Sequence, residues 1–228
     1  MASVCENLQA VLSTLPPGVG LVAVSKFCPE EAIEEAYRCG QRAFGESRVQ
    51  ELERKAAALP TDIAWHFIGH LQTNKVRALV ALSPLIESVD SERLLRLIDS
   101  ESLRAGKMTS VLLEVHVAQE QTKTGFIPSE LEALFAAGIH RCLKAVKIRG
   151  IMGMASNTDD TDRIRADFAA IAACKERIAA LCPDLPDFDL LSMGMSGDYP
   201  LAIAAGANLV RVGTAIFGAR ATYPTINQ

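Results

Sequence analysis

The sequence predicts an α/β protein, a single (β/α)8 TIM barrel spanning 1–228 as one domain. Three observations carry that expectation. Eight short apolar segments suited to strands alternate with segments of helical periodicity. Hydrophobic residues make up 49% of the chain and aromatics only 5%, so the core rests on Ala, Val, Leu and Ile. That profile suits an α/β protein better than a β-sandwich. No compositional break or Gly/Ser linker divides the chain. The rival, an open doubly wound sheet, usually has fewer strands and a glycine fingerprint after the first, where this chain has Val24-Ser25-Lys26.

Each element has its own signal. Val4, Leu8, Val11 and Leu12 lie at helical spacing within 2–14, a covering helix closed by Pro16-Pro17-Gly18. The apolar run 21–25 reads as a strand buried on both faces. Pro29-Glu30-Glu31 opens a helix over 30–39, with proline suited to its first position and carboxylates to its positive end, and Gly40 stops it. A strand at 42–45 and a helix near 47–58 follow, then a strand at 63–68 and a helix near 73–82. Pro84 introduces a strand at 85–89, and Ser91 caps a helix over 92–105. A strand at 110–117 leads through the polar loop 119–125 to a helix from 128. A strand at 146–152 and the polar stretch 157–162 precede a helix reaching 181. The pattern closes with a strand at 188–192, a helix over 198–205, a strand at 208–212 and a short last helix.

Composition excludes several classes. A net charge of −4 leaves no basic footprint for nucleic acid. No apolar run reaches transmembrane length, and the start, with Glu6 and no basic leader, does not read as a secretory signal. The six cysteines (5, 28, 39, 142, 174, 182) form no CxxC pair, so reduced thiols in the cytoplasm are expected.

The chemistry starts at Lys26, where the first strand ends abruptly. Partial desolvation at a barrel mouth lowers the cost of a neutral, nucleophilic amine. Position alone favours a lysine reaching out to solvent, and the closing units change that balance. Leu191-Ser192-Met193-Gly194-Met195-Ser196-Gly197 joins a strand to a helix, and Arg211-Val212-Gly213-Thr214 runs from the end of the eighth strand into the loop after it. Barrels often bind phosphate in these two loops, where oriented amides and a helix start favour an anion. Ser196, Gly197, Gly213 and Thr214 are therefore expected to meet the anion, with Asp198 bonding or capping backbone instead of repelling it.

A lysine, a phosphate cradle and an arginine on the last strand also form a family pattern. The chain resembles the pyridoxal phosphate homeostasis proteins, relatives of the N-terminal domain of alanine racemase. The matching segments are AVSK at 23–26, FGESRVQE at 44–51, WHFIGHLQTNK at 65–75, KTGF at 123–126, RGIMGMAS at 149–156 and a long run at 191–220. The resemblance implies pyridoxal 5′-phosphate (PLP) as cofactor, held by Lys26 as a Schiff base, with the closing loops on the phosphate and Arg211 facing the pyridine nitrogen. His66, Met152 and Ser192 are expected to line the site with them. One departure is Ser47, where the family reads FGEN. Serine keeps a donor and an acceptor but is shorter, so its contact needs a bridging water or is weaker.

What the resemblance implies for function is a PLP carrier in vitamin B6 homeostasis. It would bind PLP and possibly amino acids, deliver cofactor to apo PLP-dependent enzymes, and work as a monomer with no nucleic-acid or membrane partner. An arginine at the ring nitrogen weakens the ring as an electron sink. The racemase also needs a second domain and a tyrosine from a partner subunit, whereas this chain stops just after its barrel. Its own tyrosines, Tyr37, Tyr199 and Tyr223, offer no evident counterpart. Two alternatives are a weak PLP-dependent racemase and a cofactor-free Schiff-base aldolase using Lys26.

Other candidates read as structural. His66 and His70 have HxxxH spacing, but Gly69 and the strand before it argue against a zinc helix. Glu114 and His116 share parity and form a polar layer inside the barrel. Met152, Met154, Met193 and Met195 wall the mouth. Nothing marks Cys28 as reactive, and Lys123 reads as a loop lysine facing solvent.

Overall fold

Eight parallel strands pair in chain order and close on themselves, so that the first hydrogen-bonds to the last. The computed structural model describes residues 2–117, 124–185 and 187–218. The strands are β1 (Gly20–Val24), β2 (Ala43–Glu46), β3 (Ala64–Phe67), β4 (Leu85–Val89), β5 (Thr109–Val115), β6 (Val146–Gly153), β7 (Leu190–Ser192) and β8 (Leu209–Val212). The helices are α1 (Val4–Leu12), α2 (Glu30–Arg38), α3 (Val49–Ala58), α4 (Val76–Leu82), α5 (Glu92–Ala105), α6 (Pro128–Ala136), α7 (Ile139–Cys142), α8 (Thr161–Leu181), α9 (Tyr199–Ala204) and α10 (Thr214–Phe217).

The helix-facing sides of the strands and the inner faces of the helices share one apolar core. Leu8, Ile33, Leu52, Leu79, Leu95, Ile98, Phe135 and Phe168 are buried at its centre. Helix starts and stops follow local chemistry. Ser3 and Glu6 form a reciprocal capping box on α1. The Ser91 hydroxyl accepts from the Leu94 amide at the start of α5, and Gly106 ends that helix in the left-handed region. Along the closing seam the register is Gly20↔Leu209, Leu21↔Val210, Val22↔Arg211 and Ala23↔Val212. This seam places the end of β1 beside the end of β8. α1 packs on α10 across the same seam, with Asn7 Nδ2 donating to the Ile216 carbonyl at 3.1 Å.

Several sequence expectations are corrected. The helix expected near 73–82 is a 3-10 turn, Thr73–Lys75, followed by α4, and α7 was not foreseen. The second strand is displaced by one residue, which brings Glu46 into the sheet as a fully buried side chain. Pro29 is the N-cap of α2, one position ahead of the first helical residue. Cys5 and Cys39 form a disulfide between α1 and the end of α2, which overturns the reading of six reduced thiols. Their 34-residue separation carries no pairing signal, and only the packing of α1 on α2 brings them together. Cys28, Cys142, Cys174 and Cys182 are thiols. Among the described residues no helix is long and apolar enough to cross a membrane. Lys123 and Tyr223 lie outside the described residues, as does most of the loop 119–125.

Candidate functional site

The loops after β1, β6, β7 and β8 surround a cavity of about 250 Å³ at the C-terminal mouth of the barrel. Lys26, Met152, Ser196, Gly197, Arg211, Gly213 and Thr214 all line it, beside Val24, Ile68, Met154 and Met195. Seven of the ten residues expected at the site are thus brought together. Ser47, His66 and Ser192 are not on the cavity wall.

Lys26 sits in a tight turn directly after β1. The Cys28 amide donates to the Ser25 carbonyl at 2.9 Å, and Phe27 adopts φ +67°. For a bulky side chain this left-handed conformation is strained, costing about 1–3 kcal/mol, and it persists only where neighbours hold it. Alternation along β1 puts Val24 on the cavity wall while Ser25 is buried toward α3.

The two closing loops are stitched together by Ser196. Its hydroxyl oxygen accepts from the Gly213 amide at 3.2 Å and the Ala215 amide at 3.5 Å. With both lone pairs occupied, the hydroxyl proton is what Ser196 can offer to a ligand. Asp198 Oδ1 accepts from the Met195 amide at 2.6 Å, so this carboxylate is used on loop backbone, as expected from the sequence. Gly194 allows the chain to turn here at φ +93°, and a Cβ would meet Ala202 Cβ at 2.6 Å.

Beneath the cavity lies a buried polar relay. Arg211 donates from Nη1 to Ser192 Oγ (2.6 Å) and from Nη2 to the Gly153 carbonyl (3.0 Å). Ser192 Oγ donates in turn to Glu87 Oε2 (2.5 Å), which lies 3.7 Å from Arg211. His66 Nδ1 lies 2.5 Å from Glu87 Oε1. Burial would raise the Glu87 carboxyl. The hydrogen bond and attraction of His66, the Arg211 charge and the Ser192 hydrogen bond outweigh it, holding Glu87 below the usual carboxylate range. Desolvation lowers the Arg211 pKa, against the opposing pull of Glu87, Glu114 and Asp198.

His66 and Ser192 therefore lie behind Arg211 and not on the cavity wall, joined there by Glu87, which sequence reasoning did not single out. Ser47 belongs to the loop after β2, which approaches the loop after β3 so closely that a Cβ on Gly69 would meet the Ser47 carbonyl oxygen at 2.2 Å. His66 and His70 face different partners, Glu87 and Asp90. Glu114 is buried, as its parity suggested, and burial together with the Asp90 charge pushes its carboxyl up to about 7 against the pull of Arg211. His116 lies just past β5, with Nδ1 buried and lacking a hydrogen-bond partner among the described residues.

Residues 1–221 match the family described as alanine racemase, N-terminal domain. A pyridoxal phosphate homeostasis protein from Helicobacter pylori is 39% identical over 201 residues, covering 87% of this chain and 87% of the relative. The chain belongs to the pyridoxal phosphate homeostasis proteins. A member of the family from Schizosaccharomyces pombe is also 39% identical, over 89% of this chain and 84% of its own. PipY from Synechococcus elongatus, solved with PLP bound, superposes with a TM-score of 0.87 at 40% identity, covering 95% of this chain and 100% of PipY. Alanine racemase from Enterococcus faecalis (E. faecalis) shares the fold, with a TM-score of 0.70 at 20% identity. This family member spans 58% of that racemase.

Proposed function

We propose that the chain binds PLP in the mouth cavity through Lys26 and serves PLP homeostasis and delivery without strong catalysis. The observation that carries the reading is that Lys26, the Ser196–Thr214 loops and Arg211 line one cavity. The donor set fits the cofactor, offering an amine for its aldehyde, a hydroxyl and loop amides for its phosphate, and a guanidinium for its ring nitrogen. Ser47, His66 and Ser192 contribute from behind the wall, Ser47 through its loop and the other two through Glu87.

When bound, PLP supplies an electrophilic aldehyde carbon and an electron-withdrawing ring. The rest is done by the chain. Lys26 would supply the amine, Ser196 would donate to the anion, and Met152, Met154 and Met195 would give the ring an apolar wall. Arg211 would place a positive charge near the ring nitrogen and so disfavour its protonation. Racemisation needs acid–base groups on both faces of a bound amino acid. Tyr37 donates to Asp62, and the Tyr199 hydroxyl lies 2.9 Å from Thr14 Oγ1, so both are engaged away from the cavity. Delivery to apo PLP-dependent enzymes by a cytoplasmic monomer completes the reading.

The test is to add PLP to the apo-protein, reduce with borohydride and map the labelled peptide by mass spectrometry. The phosphopyridoxyl group is expected on Lys26. Labelling confined to Lys75 or Lys123 overturns the assignment. A second expectation concerns the anion loops. Ser196→Ala with Thr214→Val should weaken PLP far more than unphosphorylated pyridoxal, because each hydrogen bond to a charged group is worth roughly 1.5–3 kcal/mol. Paired titrations read this directly, and equal weakening of the two ligands counts against a phosphate cradle.

A further inference from the structure

The turn that carries Lys26 is held from the side opposite the cavity. Glu51 Oε1, on α3, accepts from the Phe27 amide at 2.8 Å, so it bonds the residue after Lys26. Lys55, one turn further along α3, donates to the Ser25 carbonyl at 2.9 Å, the residue before it. The two are joined to each other at 2.7 Å. Lys55 and Ser25 also connect to β2, since Lys55 Nζ and Ser25 Oγ each donate to Glu46 Oε1, at 2.8 and 2.5 Å. Lys55 and Glu46 are fully buried, and the Glu51 side chain is 14% exposed.

We propose that Glu51 and Lys55 are positioning residues for Lys26, gripping the peptide groups on either side of it. Three ionisable side chains packed between a helix and a barrel are costly to desolvate, and an apolar cluster would fill the space at least as stably. What an apolar cluster cannot do is bind a carbonyl and an amide at fixed positions. The Phe27 conformation supplies the reason for such a grip. At φ +67° an aromatic residue relaxes toward negative φ unless its amide is held, and Lys26 is the residue that swings when it does. Covalent capture is sensitive to that swing, because a misplacement of about 1 Å at a reacting group costs about a hundredfold. The Ser25–Lys55 and Phe27–Glu51 bonds thus act on the amine through its own backbone, without touching a ligand.

This inference rests on the reading of Lys26 as the PLP anchor, and the test separates the two. The probes are PLP and pyridoxine 5′-phosphate, which carries the phosphate and ring but no aldehyde and therefore does not use the amine. In Glu51→Ala, PLP capture followed by absorbance is expected to weaken about tenfold. Binding of pyridoxine 5′-phosphate should stay within about twofold, since the anion loops are untouched. Glu51→Gln should restore capture, because its amide oxygen still accepts from the Phe27 amide. Glu51→Asp keeps the charge beside Lys55 but withdraws the acceptor from Phe27, and it should behave as the alanine variant does if alanine fails to fold. Melting curves of each apo-protein check the fold. Unchanged PLP capture in the alanine and aspartate variants, or parallel weakening of both ligands, overturns the positioning role. A wild-type protein that captures no PLP overturns the anchor reading and this inference with it.

Discussion

Replacing Lys55 by methionine is expected to lower the unfolding free energy by about 3–5 kcal/mol at neutral pH, as for other buried ion pairs broken from one side. Methionine fills similar space, so the loss is electrostatic. Glu46 is fully buried, its Oε2 already lacks a hydrogen-bond partner among the described residues, and Lys55 is its counter-charge. Burial outweighs Lys55 and raises the Glu46 carboxyl even in the native protein, so removing the ammonium raises it further. The variant should therefore be most destabilised at high pH and recover as pH falls and Glu46 takes up a proton. For a chain of this size the melting point should fall by roughly 10 °C near pH 7. Adding Glu46→Gln should return part of the loss, and denaturant titrations of the four proteins give the coupling directly. Additive losses in the double variant would mean the pair contributes through packing alone.

Glu114→Gln should have the opposite sign. The carboxyl titrates at about 7 in the fold against an ordinary value of 4.5. A raised carboxyl contributes its stability fully below the unfolded value and loses it as pH rises through the folded one. Between about 4.5 and 7 the native state holds a proton that the unfolded chain has released, so stability falls across this window. The span is worth on the order of 3 kcal/mol. Glutamine has nothing to ionise, so the variant should match the wild type near pH 4.5 and exceed it above pH 7. Urea titrations at pH 4.5, 6 and 8 measure the divergence. Parallel curves would mean that Glu114 stays ionised beside Arg211.

Local chemistry explains which parts were legible beforehand. β4 and α5 lie within the bounds expected for them because proline, a serine cap and a terminal glycine mark each boundary. Lys26, Ser196, Gly213 and Thr214 lie in the segments that follow strands, where a barrel gathers its loops, so topology sufficed to bring them together. Glu87 was invisible for the converse reason. In Leu85-Ile86-Glu87-Ser88-Val89 a mid-strand carboxylate looks solvent-facing, and only ring closure turns it toward His66, Ser192 and Arg211. Lys55 and Glu46 share that fate. A lysine on an otherwise amphipathic helix reads as a surface residue until the buried acid opposite it is located. His66 and Ser192, expected on the site's lining, lie beneath the cavity beside Glu87. Residue order along a strand does not say how deep in the barrel a side chain ends.

The seam between β1 and β8 ties ligand binding to the completion of folding. Lys26 follows the first strand and Gly213-Thr214 the last, so these two sides of the cavity face each other only once the chain's ends have met. Until β8 docks, β1 and β7 present open edges, which invite pairing with other chains. Contacts this distant in sequence form slowly, because loop closure must come first. A small molecule that touches both sides of the seam binds only the closed ring. At a hundred times its dissociation constant it would add about 2.7 kcal/mol to closure. Cofactor supply during synthesis would then influence how much of the chain escapes aggregation, before any question of delivery arises.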